Sequence, residues 1–154
     1  EAVGKEFNLK PFGGRALMSM RLEKNWGAWA LDFRPDFTAK ESGLDFFINW
    51  NKDFIGKESA KKDKSKLKLT PLIIETENID VTNNEAVVKD GKSIGYITSG
   101  GFAHHVKKSV AYSYLDEEIL KTNEKFQVEI NGNFYNSTII KEPLYDPRGT
   151  KMRS

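Results

Sequence analysis

The sequence predicts an α+β fold in two unequal parts. A mixed helical and extended piece covers residues 1–63, and an all-β domain, a small antiparallel barrel or sandwich, covers 64–154. Three observations carry this reading. Apolar residues recur at helical spacing between Arg15 and Lys24. A lysine-rich run breaks the composition at residues 61–66. Beyond it, strand-like runs flank Asp90-Gly91 and Asn131-Gly132, dipeptides suited to hairpin turns that need positive φ.

Taken in order, "EAVGKEF" reads as the tail of a helix ending at Asn8, and "KPFGG" as a turn. The chain opens on Glu1 rather than Met, so it is expected to be a piece of a longer polypeptide. The next segment is a modest amphipathic helix over Arg15–Lys24, with Leu17, Met20 and the aliphatic stem of Lys24 on one stripe. Asn25 and Gly27 are expected to stop it. "AWALDF" reads as extended, "RPDF" as a turn, "SGLDFFINWNK" as a strand, and "DFIGKESAKK" as a short helix capped by Asp53. "KKDKSK" has four lysines in six residues and no apolar side chain, so it cannot join a core and reads as a solvated connection.

The remainder is strand-like. "KLTPLIIETE" is β-branched, "EAVVKDGKSIGYITSGG" and "KFQVEINGNFYNSTIIK" read as hairpins, and "KSVAYSYL" alternates. "ITSGG" fits no phosphate-loop spacing and reads as a turn where backbones approach closely. The closing "EPLYDPRGTKMRS" is expected to wrap the barrel or to meet another domain.

Composition narrows the function classes. The 154 residues are 38% hydrophobic and 30% charged, as in a globular protein. A net charge of +2 gives no global pull toward nucleic acid or membrane, and neither is expected as a partner. The absence of cysteine excludes disulfides and thiol chemistry. No apolar run reaches membrane-spanning length and no signal-peptide pattern opens the chain, so a cytoplasmic location is the default expectation. His104-His105 is the only histidine pair, and adjacent strand residues face opposite ways, so no metal site is expected there.

The densest chemistry lies in residues 13–33. Arg21 can hold a carboxylate with its planar fork, and Trp26 or Trp29 can stack on an aromatic ring. The same residues also suit a helix whose arginine pairs with a nearby Glu while the tryptophans fill a core. The pattern alone leaves both readings open.

"PFGGRALMSMRLEKNWGAWALDF" and "ESGLDFFINWNKDFIGKESA" resemble the folate-binding region of the glycine cleavage T-protein (aminomethyltransferase) family. Within that family the likeness is greatest to the C-terminal part of the dimethylglycine and sarcosine dehydrogenase group. "DGKSIGYITSGGFAHHVKKSVAYSYL" and "EPLYDPRGTKMRS" resemble its C-terminal barrel. The resemblance implies that residues 1–63 end a folate-binding domain and that 64–154 form the barrel. It also implies tetrahydrofolate as acceptor of a one-carbon unit from a small methylamine-type substrate. On this footing Arg21, in "MRLEK", meets the carboxylate end of folate, and Trp29 takes a position where the family has an aromatic beside it.

The family's catalytic aspartate and pterin-gripping acid would lie before Glu1. No catalytic residue is therefore expected within the chain, and the missing N-terminal part of the same polypeptide is its expected partner. A dehydrogenase of this group would carry FAD on an upstream domain, since no dinucleotide fingerprint occurs here. Asn25, Trp26 and Gly27 stand where relatives often have Gly, Tyr and Arg, and Ala30 stands for a usual Gly. Two other classes stay open at this stage: a flavin-free, folate-dependent demethylase of another methylated substrate, such as a sulfonium compound, and a non-catalytic interaction module.

Overall fold

The computed structural model describes residues 2–122, 125–151 and 153. Glu1, on which the first helical segment was expected to open, and Met152 and Ser154 of the closing segment lie outside the described residues. Six strands, β1 (Leu67–Ile74), β2 (Ala86–Lys89), β3 (Lys92–Ala103), β4 (Lys108–Asp116), β5 (Phe126–Ile130) and β6 (Asn133–Ile139), follow the lysine run. They close into an antiparallel barrel in the order β1-β4-β3-β2-β5-β6, which settles barrel against sandwich. Leu72 of β1 lies opposite Ala111 on one side and Ile139 on the other, and so joins the two ends of the sheet.

Both expected hairpins form. Asp90 and Gly91 have φ of 49° and 72°, and Asn131 and Gly132 have 51° and 78°. Two consecutive left-handed residues make a turn whose twist matches the flanking strands. The period-two pattern is clear on β5, where Phe126, Val128 and Ile130 are buried. With Leu72, Ile97 and Leu115 they fill the barrel interior. Each such side chain contributes about 1.5–3 kcal/mol by leaving water.

β4 departs from simple alternation, being buried on both faces from Ser109 to Leu115. Ala111 and Leu115 point into the barrel, while Val110 and Tyr112 join a second cluster with Leu22. The cause is α1 (Gly14–Glu23), which lies over the outside of the barrel near β3 and β4 and caps that face. α1 ends as expected. Asn25 has φ 53°, its N–H reaches the Leu22 carbonyl (3.2 Å), and the Trp26 N–H reaches that of Arg21 (3.0 Å). This is the paired-bond C-terminal motif that a left-handed Asn permits.

Several local expectations are corrected. The buried end of α1 is Arg21-Leu22-Glu23, and Leu17 and Met20 of the expected stripe stay exposed. "AWALDF" is a tight loop, because the Ala28 carbonyl accepts from the N–H groups of Asp32 (2.9 Å) and Phe33 (3.1 Å). "SGLDFFINWNK" forms a 3-10 turn at Asp45–Phe47 followed by further turns. Among the described residues no strand pairs with this segment, and Phe46 and Phe47 remain exposed. The short helix α2 (Lys57–Lys61) is preceded by Gly56 in left-handed geometry, so Asp53 is not its cap. "ITSGG" lies inside β3 rather than in a turn. The expected close approach is real, since a Cβ on Gly100 would come within 2.9 Å of Val81 Cγ1.

Candidate functional site

The loop after α1 is built around a buried carboxylate. Asp32 has 0% exposure and sits between Leu31 and Phe33 in "WALDF". It accepts from Arg21 Nη1 (2.8 Å), from the Ala28 backbone N–H (2.7 Å), and from the hydroxyls of Thr98 and Ser99, the latter at 2.7 and 2.9 Å. Neighbouring strand residues normally face opposite sides. Here β3 shifts register between Ile97 and Ser99, and this bulge lets consecutive hydroxyls reach one carboxylate. The Asp32 carbonyl accepts from Tyr114 Oη at 2.9 Å, so the loop is tied to β4 as well.

Arg21 is 7% exposed. Nη1 serves Asp32, and it also lies 3.4 Å from the Trp26 carbonyl. Nε and Nη2 are buried with no hydrogen-bond partner among the described residues. The guanidinium stands 5.5 Å from the Tyr112 ring centroid. Burial pushes the Tyr112 phenol well above its usual value; the Arg21 charge opposes that shift and the Asp32 charge adds to it. Tyr112 Oη likewise has no partner among the described residues.

The pH consequence follows directly. The unfolded phenol ionises near pH 10, while the folded one stays neutral well beyond it. The contribution of this group to stability is whole below pH 10 and falls as pH rises from there toward the folded value. Tyr112→Phe is expected to leave the thermal midpoint at pH 7 nearly unchanged and to flatten its decline between pH 10 and 11.

Trp29 is 81% exposed and meets Phe33 edge-on at 5.8 Å, while the half-exposed Trp26 also meets that ring edge-on, at 6.2 Å. The tryptophans therefore do not fill the core. Ala30 has φ 64°, where a Cβ costs about 1–2 kcal/mol. Ala30→Gly is expected to raise stability by up to about 1 kcal/mol, read as a higher urea midpoint. A cavity of about 570 Å³ opens beside the loop, lined by Trp29, Phe33, Arg34, Phe37, Ser42 and Leu44 among others. Arg21 is on α1 and Trp29 on the loop that follows it, and Arg21 is not on the wall of that cavity. A second cavity, of about 630 Å³ between residues 38–50 and α2, holds neither.

The other candidates take structural places. His104 and His105 sit in the turn between β3 and β4. Their backbone N–H groups donate to Ser19 Oγ (3.1 Å) and Glu23 Oε1 (2.6 Å), latching the turn onto α1. The closing segment packs on the C-terminal end of α1, with the Tyr145 N–H on the Glu23 carbonyl (3.0 Å) and Lys24 Nζ on the Asp146 carbonyl (2.7 Å). Among the described residues no group of three or more His, Cys, Asp or Glu stands where it could hold a metal, and no helix is long and apolar enough to cross a membrane. Asp32, Thr98, Ser99 and Arg34 were not singled out from the sequence. The available signals were a lone acid within an aromatic run and two adjacent hydroxyls before a glycine pair.

The family model described as the glycine cleavage T-protein C-terminal barrel domain matches residues 68–146, and that of the GCVT N-terminal domain matches residues 1–52. The chain is 38% identical to mitochondrial dimethylglycine dehydrogenase of Rattus norvegicus across 98% of its own length, and 32% identical to an aminomethyltransferase of Desulfitobacterium hafniense across 96%. It spans 18% and 41% of the length of those two proteins. In fold it resembles the glycine cleavage system aminomethyltransferase T of Bartonella henselae, with a TM-score of 0.75 and 20% identity over 86% of this chain and 38% of that one. A six-stranded closed barrel with α1 laid across it, joined to family matches over both parts, makes one conclusion direct: the chain belongs to the glycine cleavage T-protein (aminomethyltransferase) family.

Proposed function

We propose that this chain forms the C-terminal part of a tetrahydrofolate-dependent aminomethyltransferase-type polypeptide related to dimethylglycine and sarcosine dehydrogenases. In that polypeptide Arg21 and Trp29 seat folate, and the carboxylate that drives one-carbon transfer comes from outside residues 1–154. The observation that carries the reading is the partnerless Nε–Nη2 edge of Arg21. Asp32 occupies Nη1 and fixes the plane of the guanidinium. The remaining edge presents two parallel donors, the geometry that takes a carboxylate with two hydrogen bonds. Buried donors without acceptors are costly, so a ligand that supplies them is favoured. Trp29, exposed beside Phe33, offers a broad aromatic face for the ring that precedes folate's anionic end.

The surface of the N-terminal piece supports the partner expected from the sequence. Phe7, Phe12, Phe46, Phe47 and Ile55 are all strongly exposed, whereas exposed large apolar residues are sparse on the barrel strands. Such a number of exposed large apolar side chains in one piece suits surface that another body covers. The reading assigns it to the rest of the folate-binding domain in the same polypeptide. It places the junction of the two units at residues 63 and 64, in the segment between the two family matches. The similarity to a dimethylglycine dehydrogenase supports FAD on a further domain and a methylamine-type substrate.

The test is transfer of a one-carbon unit from dimethylglycine or sarcosine by the polypeptide that carries this chain, with product measured in the presence and absence of tetrahydrofolate. Folate-dependent formation of a methylene-tetrahydrofolate product is expected. Identical products with and without tetrahydrofolate would sink the reading.

A further inference from the structure

Arg34 is a second cation of the same region, and its setting differs from that of Arg21. Its Nη2 donates to Tyr96 Oη at 2.6 Å and lies 2.8 Å from Asp36 Oδ2. The guanidinium stands 5.5 Å from the Phe37 ring centroid and 5.9 Å from that of Tyr96. Phe37 is itself fixed, stacked on Tyr114 with centroids 3.5 Å apart and planes 12° from parallel. Tyr114 is held in turn by Ser42 Oγ (2.8 Å) and the Asp32 carbonyl (2.9 Å). Arg34 is therefore preorganised through two aromatic supports, while its side chain stays 31% exposed.

Among the described residues lining the 570 Å³ cavity, Arg34 is the one charged side chain. The other walls are aromatic or apolar, with Trp29, Phe33 and Phe37 contributing rings, and Ser42 adds a hydroxyl. Its Nε has no hydrogen-bond partner among the described residues. Aromatic walls beside a fixed guanidinium suit a flat ring that carries an anionic substituent. Arg21, deeper and joined to Asp32, does not line this space.

We propose that Arg34 is a specificity-determining residue of the ligand site, taking a carboxylate of the glutamyl end while Trp29 and Phe37 flank the aminobenzoyl ring. This rests on the folate reading above and adds to it a residue and a selectivity. The glutamyl group carries the carboxylates that an arginine on the cavity wall can take. The consequence is discrimination: the site favours folates that carry the glutamyl group over the otherwise identical pteroate. The exposed Asp36 competes for the same guanidinium.

The experiment is equilibrium binding of tetrahydrofolate and of tetrahydropteroate, which lacks the glutamyl group, to the polypeptide that carries this chain. Arg34→Ala is expected to weaken tetrahydrofolate by about 5- to 20-fold, the size of one partly exposed charge-assisted hydrogen bond, and to change tetrahydropteroate by less than about twofold. Asp36→Asn, which frees the guanidinium, is expected to tighten tetrahydrofolate by about twofold or more, a gain that misfolding cannot produce. Unchanged tetrahydrofolate affinity in Arg34→Ala, or equal losses for both ligands, overturns the role of Arg34 and leaves the folate reading standing. A wild-type protein that binds neither ligand overturns the folate reading itself, and the role of Arg34 with it.

Discussion

Asp32→Ala is expected to lower stability by about 3–5 kcal/mol, because it leaves the Arg21 guanidinium charged, buried and unpaired. The same substitution strips the acceptor from the Ala28 N–H and from the Ser99 hydroxyl, while the Thr98 hydroxyl keeps the Tyr112 carbonyl at 3.2 Å. For a chain of this size the thermal midpoint should fall by an amount on the order of 10 °C. The loss comes mainly from stranding a charge rather than from forgoing a favourable pair. Converting the partner as well, in Asp32→Ala with Arg21→Met, should therefore recover a large part of it. Urea unfolding of the single and double variants checks this. A single variant within about 1 kcal/mol of wild type would show that the buried centre does not hold the loop to the barrel.

The second large effect separates ligand binding from stability at the same centre. Arg21→Ala would confound the two, since it abandons the Asp32 carboxylate at 0% exposure. Arg21→Lys keeps a positive charge for Asp32 but has only one nitrogen, and so loses the Nε–Nη2 edge. Tetrahydrofolate affinity is expected to drop by about 10- to 100-fold, the range of a charge-assisted bond pair, with a stability loss below about 2 kcal/mol. Calorimetric titration together with urea unfolding reads both quantities on one preparation. A lysine variant that binds as tightly as wild type would remove Arg21 from the site.

Much of the barrel was legible because its signals are local. Asp90-Gly91 and Asn131-Gly132 announce their turns through a backbone requirement that few other residues meet. Alternation in Phe126-Val128-Ile130 announces a half-buried strand. β4 shows where that logic weakens, because its outer face is buried only by the arrival of α1, a long-range event. The N-terminal piece was read less well for a related reason. Aromatics in "SGLDFFINWNK" satisfy strand propensity, but propensity forms a sheet only where a neighbouring strand offers a ladder. The site followed the same division. Arg21 and Trp29 stood out by residue type, while Asp32 depends on a bulge in β3 that lies more than sixty residues away. Arg34 depends on Tyr96 of that strand. Spacing within a sequence carries no trace of such meetings.

The measurement that tests the account most directly is titration of tetrahydrofolate into the polypeptide that carries this chain, followed by tryptophan fluorescence, with Trp29→Phe alongside. Saturable one-to-one binding is expected, with quenching that Trp29→Phe largely abolishes, because the proposed reading lays the ligand's ring on the exposed indole. Absence of saturable binding, or quenching that survives loss of Trp29, would contradict a folate site on this loop.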